Sequence, residues 1–373
     1  MRVLMVFGTR PEAIKMAPIA LELKSARRFT TKICCTAQHR SMVDEALTAF
    51  ELMPDYDLGI MRPDQTLSGI ASAVFDKLDR VLQDFRPDWV LVQGDTTTSM
   101  AAALASFHRQ IAVGHVEAGL RTGDLRNPWP EEANRRITSI VTQRHYCPTE
   151  RARNSLRAEG IQERDIVLTG NTVIDALQWT ANRIASDPFR RDRYQKMFDW
   201  IDPERRMILV TGHRRESFGE GFRQICNALA RLGRRDDVQV VYPVHLNPNV
   251  RAPVFEILSD SPAVHLIEPL GYEAFVWLMQ HCSFILTDSG GIQEEAPTLG
   301  KPVLVMRATT ERPEGIEAGV SKLVGTDAER IYAECDELLS KSELYRRMSQ
   351  AKNPFGDGNA ASRIVDDLMH AYV

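Results

Sequence analysis

In the stretch 284–306 an apolar run, Phe284-Ile285-Leu286, is followed at once by Asp288-Ser289-Gly290-Gly291. A helical segment opens at Ile292, and Pro302-Val303-Leu304-Val305 returns to strand. Such a turn lies at the carboxyl end of a parallel strand, where ligands bind in open α/β sheets. Two glycines let the backbone approach a bound group closely, and the amides that open a helix favour an anion. Ser289, Gly290 and Gly291 are therefore candidates to hold a phosphate. Glu295, about one turn into the helix, is a candidate acceptor for a sugar's hydroxyls. The plainer reading is a tight turn with a capping serine. Neither G-x-x-x-x-G-K-[ST] nor G-x-G-x-x-G after a strand occurs, so a P-loop and a dinucleotide fingerprint are unsupported.

Arg10 and Lys15 flank another strand-to-helix turn, and both could reach a phosphate, although a solvated helix face is the plainer reading. Asp95 sits just past a buried strand and is also a natural helix cap. His115 and Glu117 share a face if both lie in strand. A third ligand at a diagnostic spacing is missing and H-E-x-x-H is absent, so no metal site is expected. Glu131 and Arg135 are four apart behind Pro130, as are Glu132 and Arg136; such pairs alone add only about 0.2–0.5 kcal/mol each. The preceding loop sets Trp129 between two prolines, which points to a fixed shape. His213 follows a strand in a glycine-containing turn beside Arg214 and Arg215. It could bind a diphosphate or move a proton, and its cationic surroundings favour the neutral ring until a phosphate arrives. His245 reads as structural.

The elements that must position these groups alternate strand and helix, as a parallel sheet requires. Strands are expected at 2–7, 31–36, 89–92 and 111–115, with helices at 13–25, from about 40 to 50, 66–85, 99–108 and from 131. After a helix from 172 to about 186 and a charged segment at 187–206, strands recur at 207–210, 239–242, 264–267, 284–286 and 303–306. Val6-Phe7-Gly8-Thr9-Arg10 and Val210-Thr211-Gly212-His213-Arg214 both read V-x-G-x-R after a strand. Two Rossmann-like domains facing across a cleft are expected, at 1–170 and 171–358, with a last helix at 359–371 packing back on the first. A chain of 373 residues is natural for two domains. Its 43% hydrophobic and 26% charged residues fit an ordinary globular protein, and its net charge of −4 carries no nucleic-acid footprint. Six cysteines without framework spacing read as reduced thiols of a cytoplasmic protein. No apolar run approaches the roughly 20 residues that cross a bilayer.

Taken together, the motifs resemble the non-hydrolysing UDP-N-acetylglucosamine 2-epimerases over nearly the whole chain. The resemblance is carried by Phe7-Gly8-Thr9-Arg10-Pro11-Glu12-Ala13-Ile14-Lys15, Gly94-Asp95-Thr96-Thr97-Thr98 and Gly114-His115-Val116-Glu117-Ala118-Gly119-Leu120-Arg121-Thr122. It continues through Pro130-Glu131-Glu132-Ala133-Asn134-Arg135, Thr211-Gly212-His213-Arg214-Arg215-Glu216, the turn from Asp288 and Thr309-Thr310-Glu311-Arg312-Pro313-Glu314. Single motifs are weak, but the ordered set is specific. It implies a GT-B-type architecture, a homodimer, no nicotinamide cofactor, and interconversion of UDP-GlcNAc and UDP-ManNAc. It assigns Asp95, Glu117, Glu131, Arg135 and His213 to a catalytic cluster. Arg10, Lys15, Ser289, Gly290, Gly291, Glu295 and Arg312 would hold the UDP, with uracil near Leu270 and Phe275. The chain departs from the family at Asn127-Pro128-Trp129-Pro130, where many members carry serine before the proline and phenylalanine or tyrosine at the tryptophan.

The sugar's C2 proton is not next to a carbonyl, so the family expels UDP from C1 and passes through 2-acetamidoglucal. Carboxylates near the ring and cations near the phosphate both stabilise such a transition state. Other readings are a GT-B glycosyltransferase, a hydrolysing epimerase that releases ManNAc, or a UDP-sugar sensor. In many bacterial members a second UDP-GlcNAc activates the enzyme through a segment matching Gln38-His39-Arg40. Here Ser41 and Asp64 stand where a glutamine and an arginine would, so such a site is expected to be absent or weak.

Overall fold

A computed structural model describes residues 1–36, 40–62 and 65–371, and the side chains of all of these except residues 40–42. The chain divides into two compact units, Met1–Ala176 with the segment from Phe355 onward, and Leu177–Pro354.

Unit 1 carries β1 (Arg2–Phe7), β2 (Thr30–Cys35), β3 (Tyr56–Asp57), β4 (Trp89–Gln93), β5 (Ala112–Val116), β6 (Arg144–Cys147) and β7 (Ile166–Leu168). Among the described residues they form one parallel sheet in the order β3-β2-β1-β4-β5-β6-β7. Central strands of such a sheet are covered on both faces and so read as unbroken apolar runs. Val90 and Val92 pack with Leu4 and Val6 beneath Val74 and Leu78 of the helix Leu67–Phe85. The strand order reverses beside β1, which pairs with β2 on one side and β4 on the other. Ligand crevices form at such a switch point, outside the carboxyl ends of the strands.

The helix after β1 runs Arg10–Ser25, three residues earlier than its apolar spacing indicates. A reciprocal cap sets that start. Glu12 accepts from the Thr9 amide at 2.8 Å while Thr9 Oγ1 receives the Glu12 amide. The last helix, Ala360–His370, belongs to unit 1. Asp367 ties it to β6 through Tyr146 and Arg144, both at 3.1 Å, and the Ala361 amide donates to Asp175 at 2.8 Å.

Unit 2 repeats the plan. β8 (Arg206–Thr211), β9 (Val238–Pro243), β10 (Val264–Ile267), β11 (Phe284–Thr287), β12 (Val303–Val305) and β13 (Ser321–Leu323) form a parallel sheet in the order β10-β9-β8-β11-β12-β13. Its core joins Ile208, Val210, Phe284 and Leu286 to Phe222, Ile225 and Leu229 of the helix Glu220–Leu232. The order reverses at β8, so the two V-x-G-x-R turns leave equivalent strands of the two sheets.

Several features escaped the sequence reading. The charged stretch after residue 187 contains a helix, Pro188–Met197, started by Asp187 accepting the Phe189 amide at 2.9 Å. Its face is mostly polar, so apolar spacing could not reveal it. β6 was missed because Arg144-His145-Tyr146-Cys147 is not an apolar run, although its last three residues are buried. The strands β3, β7 and β13 are two or three residues long, too short to show a period. Among the described residues, no helix is long and apolar enough to cross a membrane.

Candidate active site

The carboxyl edge of the first sheet gathers the acidic candidates. β4 ends at Gln93, and Thr96, rather than Asp95, caps the next helix by accepting the Ser99 amide at 3.0 Å. The capping role open to Asp95 in sequence is thus taken. Its carboxylate instead receives Arg135 Nε and Nη2 on Oδ2, at 2.9 and 2.6 Å. Asn134 Nδ2 donates to the Asp95 carbonyl at 2.9 Å, so two side chains of one helix fix this turn.

Glu117 follows β5 with φ +62°, a left-handed conformation for a non-glycine residue. Such a conformation costs on the order of 1–3 kcal/mol and persists where its surroundings over-determine it. Those surroundings are Lys15 and Gln93, which both donate to Glu117 Oε2. The resemblance placed Lys15 with the UDP. Here its ammonium lies on the carboxylate of Glu117. Gln93 was not anticipated; its signal is a buried amide ending an otherwise apolar strand. Two residues on, Gly119 has φ +91°, and a Cβ there would stand 2.3 Å from the Ala152 carbonyl oxygen, so no other residue fits.

Glu131 and Glu132 open the helix Glu131–Val141 and serve differently. Glu132 is fully buried and gathers Arg135 at 3.1 Å, Arg136 at 3.2 Å and the amides of Thr122 and Gly123 at 3.1 and 3.3 Å. Burial opposes its charge, but the Thr122 amide and Arg135 outweigh it and hold the carboxyl below its usual range. Glu132 therefore pins the loop from Thr122 to the helix. Glu131 Oε2 is buried with no hydrogen-bond partner among the described residues. A buried acid oxygen left this way is a group awaiting a ligand or a proton. The peptide bonds before Pro128 and Pro130 are both cis.

His115 is buried in β5, and its Nε2 lies 2.7 Å from the Gly94 carbonyl. Burial pushes its pKa down to about 4, so the ring is neutral at pH 7 and Nε2–H donates. His115 thereby braces the turn that carries Asp95. Glu12, in the first turn of the helix after β1, braces the same turn: its carboxylate accepts the Gly8 amide at 3.0 Å and the Thr96 hydroxyl at 2.7 Å. Arg10, half-buried, begins that first helix.

Unit 2 supplies the remaining candidates at the ends of β8 and β11. His213 follows β8, and its ring stacks on His245 at 5.4 Å. Burial lowers its pKa, while the nearby Asp288 opposes the shift. Asp288, whose role sequence reasoning left open, accepts the amides of His213 and Arg214. Ser289 precedes the short helix Gly290–Glu295, and its amide donates to Thr287 at 3.0 Å. A Cβ on Gly290 would stand 3.1 Å from the Arg312 guanidinium carbon, so the guanidinium lies close against the glycine. Arg312 Nε donates to Glu294 at 2.7 Å, and Glu295 accepts the Tyr272 hydroxyl at 3.0 Å. That bond links the glycine turn to the helix Tyr272–His281, which holds Phe275 half-buried and has half-buried Leu270 just before it. Arg307 pairs with Glu311 at 2.8 Å; despite burial, the pairing pulls the Glu311 pKa down to about 2. Gln38, His39 and Asp64 lie outside the described residues, as does the side chain of Ser41.

Two doubly wound parallel units, each with polar groups at its carboxyl edge, define the fold class. The family model for UDP-N-acetylglucosamine 2-epimerase matches residues 21–369, and the chain belongs to that family. It is 56% identical over 371 residues to the UDP-N-acetylglucosamine 2-epimerase of Escherichia coli K12, covering 99% of each chain. It is similar to the crystal structure of UDP-GlcNAc 2-epimerase from Neisseria meningitidis bound to UDP-GlcNAc, with TM-score 0.93 and 50% identity. That match covers 99% of this chain and 100% of the other. The Methanocaldococcus jannaschii enzyme in complex with UDP-GlcNAc and UDP matches with TM-score 0.83 and 33% identity, over 99% and 100% of the two chains.

Proposed function

We propose that this chain is a non-hydrolysing epimerase that interconverts UDP-GlcNAc and UDP-ManNAc by elimination and re-addition of UDP. The observation that carries the reading is the set of acids at one sheet edge, Asp95 on Arg135, Glu117 on Lys15 and Gln93, and Glu131 with an unpartnered buried oxygen. Inverting C2 requires a base on one face of the ring and a proton donor on the other. A carboxylate takes the C2 proton. The C–H electron pair becomes the C1=C2 bond of 2-acetamidoglucal, and the C1–O pair leaves with UDP. Protonation of C2 from the opposite face and attack of the β-phosphate oxygen on C1 complete the inversion. Each positioned acid or base contributes about 10²–10⁴-fold.

In this reading unit 1 supplies the groups around the sugar. From unit 2, Ser289, Gly290, Gly291, Glu295 and Arg312 hold the UDP, Leu270 and Phe275 border the uracil, and His213 meets the diphosphate. Arg10 of unit 1 adds charge for the phosphates. The homodimer, the lack of a nicotinamide cofactor and a part in polysaccharide precursor supply, together with the cytoplasmic setting read from the cysteines, belong to the same proposal.

Incubation with UDP-GlcNAc in D2O, without an acceptor, tests it. Deuterium should appear at C2 in a mixture of two UDP-sugars. Free ManNAc would identify a hydrolysing enzyme. No exchange would leave a glycosyltransferase or a sensor.

A further inference from the structure

Asp288 is buried at the end of β11, and its carboxylate serves one neighbour above all. Oδ2 accepts the amide hydrogens of His213 and Arg214, each at 2.7 Å. Oδ1 is buried and has no hydrogen-bond partner among the described residues, yet His213 Nδ1 stands 3.3 Å from it. A carboxylate oxygen shut away from water and left unsatisfied costs free energy. A small rotation of the imidazole would bring an Nδ1–H onto it. His245 lies alongside it, with 5.4 Å between ring centroids and 21° between the planes. The Asn247 amide donates to His245 Nδ1 at 3.1 Å, so that second ring is itself held.

We propose that Asp288 and His213 form a dyad in which Asp288 is a positioning residue: it holds the Nδ1–H tautomer and leaves Nε2 to face the departing diphosphate. The inference rests on the epimerase reading above. The charged and titratable groups around His213 are Asp288, His245 and Arg214. Burial, His245 and Arg214 favour the neutral ring, and Asp288 favours the cation. A bound diphosphate adds negative charge beside Nε2 and joins Asp288 in favouring the imidazolium. Nε2–H then donates to the phosphate oxygen on which charge collects as the C1–O bond breaks. Without the carboxylate, the ring could place either nitrogen outward and would ionise less readily.

A double-mutant cycle on turnover tests the dyad, with Asp288→Asn, His213→Asn and the double variant. Each single change should lower turnover by about 10-fold or more, and the double variant should match His213→Asn within about twofold. Losses that multiply in the double variant would overturn the dyad while leaving the epimerase intact. Near-normal turnover of His213→Asn would overturn it as well, whereas failure of the D2O exchange would remove the reading beneath it. Should Asp288→Asn not fold, ring 15N shifts of the unaltered protein decide the matter. A protonated Nδ1 on His213 is expected, with Nε2 protonated too once UDP binds. A neutral ring carrying its proton only on Nε2 would contradict the proposal.

Discussion

Glu131→Gln lowers turnover by at least about 100-fold, the ordinary worth of a positioned acid or base, and leaves UDP affinity nearly unchanged. The substitution keeps the size of the side chain and removes its ability to carry a charge or accept a proton. Glu131 is the first residue of its helix, behind Pro130, and its Oε2 is buried without a partner. The fold asks little of that oxygen, so its loss should be felt in chemistry rather than stability. UDP titration by calorimetry and initial rates from both UDP-sugars would separate the two. A Glu131→Gln protein that turns over at near-normal rate would remove Glu131 from the catalytic cluster.

Arg135→Ala should cost both stability and activity. One guanidinium joins Asp95, at 2.6 Å, to the buried Glu132, at 3.1 Å. Breaking a buried pair by removing one partner typically costs about 3–5 kcal/mol, because the remaining charge is stranded. Glu132 keeps Arg136 and two backbone amides, so a loss of about 3 kcal/mol, the lower end of that range, is expected here. Asp95 would lose its fixed position, and a misplacement of about 1 Å in a catalytic group can cost about 100-fold in rate. Arg135→Lys should recover only part of each loss, since an ammonium cannot span two carboxylates as the planar fork does. Denaturant midpoints and turnover measured on both variants would check this. Equal stability of Arg135→Ala and the unaltered protein would show that the bridge does not carry the turn.

Much of the fold was legible because parallel strands buried on both faces are apolar runs and each is followed by a glycine or cap signal. Val3-Leu4-Met5-Val6 and Trp89-Val90-Leu91-Val92 needed no tertiary knowledge. β6 did, because what makes it a strand is its place between β5 and β7, not its composition. The site divided in the same way. Types and spacing pointed to Asp288-Ser289-Gly290-Gly291, whereas Glu117 came forward as a catalytic candidate only through the family resemblance. They left Asp95 between cap and catalyst, and Thr96 taking the cap removes the first of these. Glu131 and Glu132 are indistinguishable in sequence, yet one holds a loop and the other holds an unpartnered oxygen. Gln93 and Glu12 act by reaching another strand's turn, and no local pattern records that reach.

The central claim is that the C1–O bond breaks and reforms while UDP stays bound. UDP-GlcNAc carrying 18O in the bridge between C1 and the β-phosphorus tests it directly. Freed at C1, the β-phosphate can rotate before it re-adds. The label should therefore spread into the non-bridging β-phosphate oxygens of both recovered UDP-sugars, read by isotope shifts in 31P NMR. Label confined to the bridge in UDP-ManNAc that has exchanged its C2 hydrogen would contradict the account.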